Sequence, residues 1–80
     1  MLVEQRLQQV FQQVFADDDL HVVDTTTARD VPGWDSLAHI NLMYAVENEF
    51  DIQIEDDRLG SFADVGALRR YVEERVAGAS

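Results

Sequence analysis

One serine near the middle of the chain has a setting suited to covalent chemistry. Ser36 lies in the run Gly33-Trp34-Asp35-Ser36-Leu37, where an amphipathic helical pattern begins. The start of a helix exposes unpaired backbone N–H groups and carries roughly +0.5 of an elementary charge. A phosphate ester built on this serine would therefore lie in a favourable field, and the pattern predicts Ser36 as a site for a covalently attached phosphate-bearing group.

A capping role explains the same residues. Asp and Ser are favoured helix N-caps, and Asp35-Ser36 would begin a helix well without any further function. Taken as a tripeptide, Asp35-Ser36-Leu37 favours this capping role, because capping signatures occur at most helix starts. The surroundings of the serine favour the covalent site instead.

Independent catalysis and metal binding are both poorly supported. His39 follows Ser36 by three residues, so the two side chains are neighbours on one helix face. General-base catalysis by His39 would also need an oxyanion site and an orienting acceptor. We instead expect His39 to be a partly buried side chain near the mouth of a helical bundle. A calcium loop beginning at Asp17 would need glycine sixth and an acid twelfth, where Val22 and Ala28 stand. We therefore expect no catalytic residue and no metal site.

The composition bounds the class of protein. Eighty residues fit a single small domain, which we expect to span residues 1–80 and to lack room for a large active-site cleft. Cysteine is absent, so any thioester chemistry needs an added thiol. No secretory pattern opens the chain, and its apolar stretches are too short to cross a membrane. We expect a cytoplasmic monomer without membrane insertion.

The charge is concentrated in the middle of the chain. The net charge is −10, of which residues 1–29 carry −3, residues 30–57 carry −8 and residues 58–80 carry +1. Such an anionic segment is unsuited to nucleic acid and suited to the basic surface of a partner protein. Acidic runs also keep small domains soluble, but the coincidence with Ser36 favours docking.

Hydrophobic periodicity predicts an all-α fold. Apolar residues three and four apart predict a first helix over residues 2–15, and turn-forming residues predict a long loop over 16–33. A second helix is predicted over 36–50 and a short helical turn over 55–59. Ser61 or Asp64 is expected to cap the final helix, which ends near Gly78.

The second helix has two apolar faces. At 100° per residue, one cluster is expected to face the core: Leu42, Met43, Val46 and Phe50. Leu37 and Tyr44 lie roughly opposite, one heptad apart, where a core does not explain them. We therefore predict a partner-binding surface made of Leu37, Tyr44 and the acids Glu47 and Asp51.

These features together resemble the acyl carrier protein family. The resemblance is carried by the triplet Asp35-Ser36-Leu37, by a short acidic chain, and by Glu47, Glu49 and Asp51 after the triplet. It covers essentially the whole chain and implies a small bundle of three longer helices and one short one. By that match Ser36 bears a 4'-phosphopantetheine arm, with Asp35 and Leu37 beside it, and the arm's thiol holds acyl groups as thioesters.

The resemblance also implies the partners and a compartment for the cargo. It implies a phosphopantetheinyl transferase that attaches the arm from coenzyme A, an acyl-activating ligase or acyltransferase that loads it, and a ketosynthase or other acyl-processing enzymes. The chain would then be a carrier and not a catalyst. The candidate acyl-pocket residues are Met43, Val46, Phe50, Ile54, Leu59, Phe62 and Leu68. An ordinary packed core explains the same apolar residues.

Departures from the family's commonest pattern bear on the pathway. Many fatty-acid carriers have acids soon after the serine, where this chain has Ala38 and Asn41, and a small residue where it has Trp34. The sequence therefore favours a polyketide or specialised acyl pathway over general fatty-acid synthesis. Two alternatives stay open: an aminoacyl or peptidyl carrier loaded by an adenylating ligase, and an unmodified acidic helical adaptor.

Overall fold

Three α-helices form the frame of the molecule. The computed structural model describes residues 3–55 and 62–78, and within them lie α1 (Val3–Val14), α2 (Ser36–Phe50), α3 (Val65–Gly78) and a single 3₁₀ turn at Ala28–Asp30. The predicted all-α fold is confirmed, and the predicted helices agree with the observed ones to within one residue at α1 and α2. The short turn predicted over 55–59 falls almost entirely outside the described residues. Within those residues, no helix has the length and hydropathy needed to span a bilayer.

The core lies where the apolar faces of the three helices meet. Phe11, Leu42 and Met43 are fully buried, and complete burial of a side chain of this size contributes about 1.5–3 kcal/mol. The predicted core face of α2 is confirmed. The remaining members of the cluster are Val3, Leu7, Val10, Val46, Phe50, Ile54, Val65, Leu68, Tyr71 and Val72.

α1 and α2 run antiparallel and are joined at one end by an arginine. Arg6 Nε donates to Glu49 Oε2 at 2.8 Å, and its Nη2 donates to the Glu49 carbonyl at 2.7 Å. The same guanidinium lies over the Phe50 ring, 5.3 Å from its centroid. Arg6 lies near the start of α1, and Glu49 and Phe50 are the last two residues of α2. These contacts therefore hold the last turn of α2 against the first turns of α1. α2 ends at Phe50, and the backbone of its C-cap residue, Asp51, is left-handed with φ 53°.

Two glutamines of α1 hold the long loop against the bundle. Gln8 donates from its side-chain amide to the Leu20 carbonyl and accepts from the Val22 N–H at 3.0 Å. Gln12 donates to the same Leu20 carbonyl at 3.1 Å. The loop therefore has fixed anchor points although it contains only one short turn of regular structure.

The loop also supplies the acceptors for the first N–H groups of α3. Val65 N donates to the Thr26 carbonyl and Gly66 N to the Asp24 carbonyl, both at 2.9 Å. Arg69 donates hydrogen bonds from Nε and Nη2 to the two oxygens of the Asp24 carboxylate, at 2.8 and 2.9 Å. These hydrogen bonds hold the pKa of the Asp24 carboxyl below its usual value and raise that of Arg69. Loop and helix thus satisfy each other's polar groups.

The N-cap of α3 is Asp64, one of the two predicted residues. Its side chain accepts from the Ala67 N–H at 2.8 Å, which is the contact expected of an N-cap.

Gly66 is expected to be required by the contact between loop and α3. A Cβ at this position would lie 3.0 Å from both the Cβ and the carbonyl oxygen of Asp24. Asp24 cannot easily move, because Gly66 and Arg69 both hold it. We expect Gly66→Ala to reduce the free energy of unfolding by about 1 kcal/mol in urea denaturation, because overpacking costs about 1–3 kcal/mol and outweighs the helix propensity gained.

Gly78→Ala provides the matched control, because a Cβ at Gly78 would meet no atom within 4 Å. That variant is expected to unfold at the same urea concentration as the parent chain or at a slightly higher one. A Gly66→Ala protein that is as stable as Gly78→Ala would contradict the account of loop docking.

Candidate functional site

The start of α2 is built by a tight turn and a side-chain cap. Gly33 has φ 88°, a value that glycine adopts without strain, and its carbonyl accepts from the Asp35 N–H at 2.9 Å. Asp35 is extended, with φ −104° and ψ −171°, and its Oδ1 accepts from the Ala38 N–H at 2.9 Å. Asp35 is therefore the N-cap, and Ser36 is the first residue of the helix.

Ser36 is exposed, and its hydroxyl has no structural task among the residues that the structure describes. Within residues 3–55 and 62–78, no group makes a hydrogen bond with the Ser36 side chain. Because Asp35 performs the capping, the capping role does not account for the serine. An exposed hydroxyl at the positive end of a helix is chemically suited to carry a phosphodiester.

Trp34 anchors this end of α2 to the end of α1. Its half-buried ring meets Phe11 edge-on, with centroids 5.3 Å apart and planes at 71°, and lies 6.1 Å from Phe15. Aromatic pairs in such arrangements add about 0.5–1.5 kcal/mol to the burial of their surface. The residue two positions before Ser36 is thus fixed by the core.

The Trp34 indole also contacts the first turns of α2. Its Nε1–H donates to Nδ1 of His39 at 3.1 Å, and the two rings are nearly parallel, with centroids 6.0 Å apart. This pair was not predicted from the sequence. The signal was present, because Trp34 precedes the N-cap and His39 is the fourth helical residue, the two positions that form a hydrophobic staple.

A surface groove opens beside the serine. It has a volume of about 580 Å³, and its walls come from the 3₁₀ turn, the start of α2 and the segment before α3. The described residues that line it are Ala28, Trp34, Asp35, Ser36, His39, Ile40 and Phe62. The groove thus places an apolar surface directly beside the Ser36 side chain.

The predicted partner-binding residues differ in their availability. The side chains of Leu37 and Tyr44 are 70% and 55% exposed, as the helical angles predicted, and Asp51 is exposed at the end of α2. Glu47 is partly buried, and its carboxylate accepts from the Ile54 N–H at 2.7 Å. Glu47 thus stabilises the turn after α2, a role that the sequence did not show, and binding by this surface stays a prediction.

The candidate acyl-pocket residues mostly belong to the packed core. Five of them are at most 8% exposed: Met43, Val46, Phe50, Ile54 and Leu68. Phe62 is different, because it is half-buried, meets Tyr71 edge-on at 5.3 Å and also lines the groove beside Ser36. Leu59 lies outside the described residues.

The capping role of Asp35 is expected to be separable from its charge. Asp35→Ala removes the acceptor for the Ala38 N–H and is expected to lower the free energy of unfolding by about 1 kcal/mol in urea titrations. Asp35→Asn keeps an acceptor oxygen and is expected to retain nearly the parent stability. Equal losses in the two variants would contradict the assignment of Asp35 as the cap.

Comparison with known proteins identifies the family. No family model matches the chain. An acyl carrier protein of Phenylobacterium zucineum is 31% identical over 74 residues, which are 92% of this chain and 94% of that protein. An acyl carrier protein of Caulobacter vibrioides is 34% identical over 68 residues, which are 85% of this chain and 86% of that protein.

A solved structure extends the similarity to the fold. The solution structure of holo acyl carrier protein from Geobacter metallireducens is 33% identical, superposes with a TM-score of 0.89, and matches 99% of this chain and 91% of that one. Relatives of one family thus cover nearly the whole chain in sequence and in structure. The chain belongs to the acyl carrier protein family and is a non-catalytic carrier protein.

Proposed function

We propose that Ser36 carries a 4'-phosphopantetheine arm and that residues 1–80 form one carrier domain that works in the cytoplasm. The observation that carries this proposal is the exposed Ser36 hydroxyl at the first position of α2, where Asp35 already provides the cap. When bound, the arm supplies the thiol that holds an acyl group as a thioester. This agrees with the absence of cysteine from the chain.

The residues around Ser36 fit a phosphodiester. The first N–H groups of a helix have no partner within the helix, and they attract an anion together with the helix dipole. The Asp35 carboxylate lies nearby, but it accepts from the Ala38 N–H, which offsets part of its charge. A phosphopantetheinyl transferase would find Ser36 between the cap residue and the exposed side chain of Leu37.

We further propose a short cargo, as in a polyketide or other specialised acyl pathway. Two observations support it. The groove beside Ser36 offers Trp34, Ile40 and Phe62 as an apolar surface close to the attachment point. A long acyl chain would have to separate core side chains such as Met43 and Val46, which are fully buried.

Partner enzymes are proposed to dock on the outward face of α2. Leu37 and Tyr44 supply exposed apolar area, and Asp51 adds charge at the end of the helix. The transferase, the loading ligase or acyltransferase, and a ketosynthase or other acyl-processing enzyme would each bring a basic surface to this face. Complementary charge speeds the encounter more than it tightens the complex, which suits a carrier that must leave each partner.

Attachment of the arm is tested by intact mass. The purified chain is incubated with coenzyme A and a broad-specificity phosphopantetheinyl transferase, and we expect a gain of one phosphopantetheine. Ser36→Ala is expected to show no gain and to keep its stability within about 0.5 kcal/mol, because the hydroxyl makes no hydrogen bond to a described residue. No gain in the parent chain, with a known carrier modified in parallel, would contradict the proposal and leave an acidic helical adaptor.

Docking is tested by removing single charges while the local hydrogen bonds are kept. Asp51→Asn suits the left-handed backbone at φ 53°, and Glu47→Gln keeps an acceptor for the Ile54 N–H. In transferase kinetics at low salt, each is expected to raise KM about 1.5- to 5-fold with kcat unchanged, as the loss of one surface charge pair predicts. The difference from the parent chain is expected to shrink as salt is added.

Asp18→Asn is the matched control for these variants. It changes the net charge by the same amount, but Asp18 lies in the long loop and not on α2. If Asp18→Asn raised KM as much as Asp51→Asn, the effect would come from total charge and not from a docking surface.

A further inference from the structure

We propose that Trp34 is a specificity-determining residue of this carrier: its ring closes the path from Ser36 into the bundle, so that the attached acyl group stays on the surface groove. The inference rests on the proposed function, because it concerns the cargo of an arm on Ser36. It assigns the restriction to short cargo to one side chain, which can be replaced without changing the attachment site. Three observations carry it: the position of the ring, the contacts that hold it and the packing behind it.

Trp34 lies between the groove and the core. It lines the groove together with Ser36 and Ile40. Its ring also meets Phe11 edge-on, with centroids 5.3 Å apart, and Phe11 is fully buried. Trp34 itself is half-buried, as expected of a side chain that has the core on one side and solvent on the other. An acyl group that left the groove towards Phe11 would therefore meet the indole first.

The indole is held by contacts from several directions. The backbone N–H of Trp34 donates to the Val31 carbonyl at 3.2 Å, which fixes the residue in the turn before α2. The ring packs on Phe11 and Phe15, and its Nε1–H donates to Nδ1 of His39 at 3.1 Å. Rotation of the ring away from the core would break this hydrogen bond and expose apolar surface of Phe11 to water. Both changes oppose opening of the path.

The space behind the indole is filled by core side chains. Phe11, Leu42 and Met43 are fully buried, and a close-packed interior admits further methylenes only by displacing side chains. Removal of the indole would leave an apolar space beside Phe11 that opens to the groove. Apolar cavities of about 150 Å³ take up small apolar molecules. An acyl chain tethered two residues away, at Ser36, would enter such a space, so the size of the side chain at Trp34 determines whether the cargo is exposed or enclosed.

Three variants separate the barrier from stability in general. Trp34→Val opens the path, and Trp34→Phe keeps an aromatic ring in place without the indole N–H. Val72→Ala is the matched control, because it weakens the core at a fully buried residue that does not line the groove. Ser36 remains in every chain. Each is therefore loaded from acyl-coenzyme A by a broad-specificity phosphopantetheinyl transferase, and its intact mass shows which acyl group it carries.

The first readout is urea denaturation of each chain loaded with acetyl, butyryl, hexanoyl or octanoyl groups. In the parent chain, Trp34→Phe and Val72→Ala, we expect an unfolding midpoint that does not change with acyl length. In Trp34→Val we expect the midpoint to rise with acyl length. The expected rise is about 0.3–0.8 M urea for each methylene that becomes buried, as the transfer of methylenes from water and the urea dependence of small domains predict.

The second readout locates the acyl chain by NMR spectroscopy. NOEs from a ¹³C-labelled octanoyl group are expected to reach Phe11 in Trp34→Val and to be absent between that group and Phe11 or Met43 in the parent chain. This measurement on the parent chain can overturn the inference whatever the stability of Trp34→Val.

The possible outcomes separate this inference from the proposed function. An unmodified mass in every chain, beside a modified control carrier, would mean that no arm is attached, and the proposed function itself would fail. A loaded parent chain whose midpoint rises with acyl length, or whose octanoyl group contacts Phe11 or Met43, would overturn the role of Trp34 alone. The same conclusion would follow if Trp34→Val showed neither change, or if Val72→Ala showed the same rise as Trp34→Val.

Discussion

The packing of Trp34 on Phe11 and Phe15 is the constraint on which the rest of the site depends. It fixes the chain at the point where a long loop ends and α2 begins, so the cap at Asp35 and the exposed serine follow directly. Ordering each residue of such a loop costs about 1–2 kcal/mol in backbone entropy, which few contacts within the loop can offset. The cost is met by anchors on other elements: Gln8 on α1, the first turn of α3, and the aromatic cluster at Trp34.

Ion pairs of three arginines link separate elements of this acidic chain. Arg6 joins α1 to Glu49 of α2, Arg69 joins α3 to Asp24 of the loop, and Arg75 joins α3 to Glu55 after α2. Isolated surface ion pairs contribute little, but each of these links two elements and is supported by further hydrogen bonds. The bond to the Tyr71 hydroxyl, for example, raises the pKa of Arg75.

This pairing affects how the negative charge is distributed. Three arginines engage acids at the joins between elements, whereas the part of the chain that the structure describes holds no ion pair for Asp35 or Asp51 at the two ends of α2. Charge near the serine is thus available to a partner. This distribution supports the proposal that partner proteins dock on the outward face of α2.

Sequence periodicity was sufficient to predict the helices, because apolar residues three and four positions apart form the buried faces of α1 and α2. The position of Ser36 in the first turn of α2 could be predicted from its local setting, since a cap residue and a helical pattern are adjacent in the chain, whereas attachment of the arm there stays a prediction. The loop anchors could not be predicted, because Gln8 and Gln12 have the polar pattern of a solvated face and their partners lie elsewhere in the chain. The helical angle of Glu47 predicted an outward-facing side chain, but its hydrogen bond to Ile54 depends on the path of the chain after α2.

The most direct test of the central claim, that Ser36 is the point of covalent attachment, is tandem mass spectrometry of the chain after coexpression with a phosphopantetheinyl transferase. Trypsin should release residues 30–58 as one peptide, because no lysine or arginine lies between Arg29 and Arg58, and Ser36 is the only serine within it. The account predicts that the arm is found on this peptide and that its fragments assign the arm to Ser36; an arm on any other residue, or an unmodified peptide beside a modified control carrier, would contradict it.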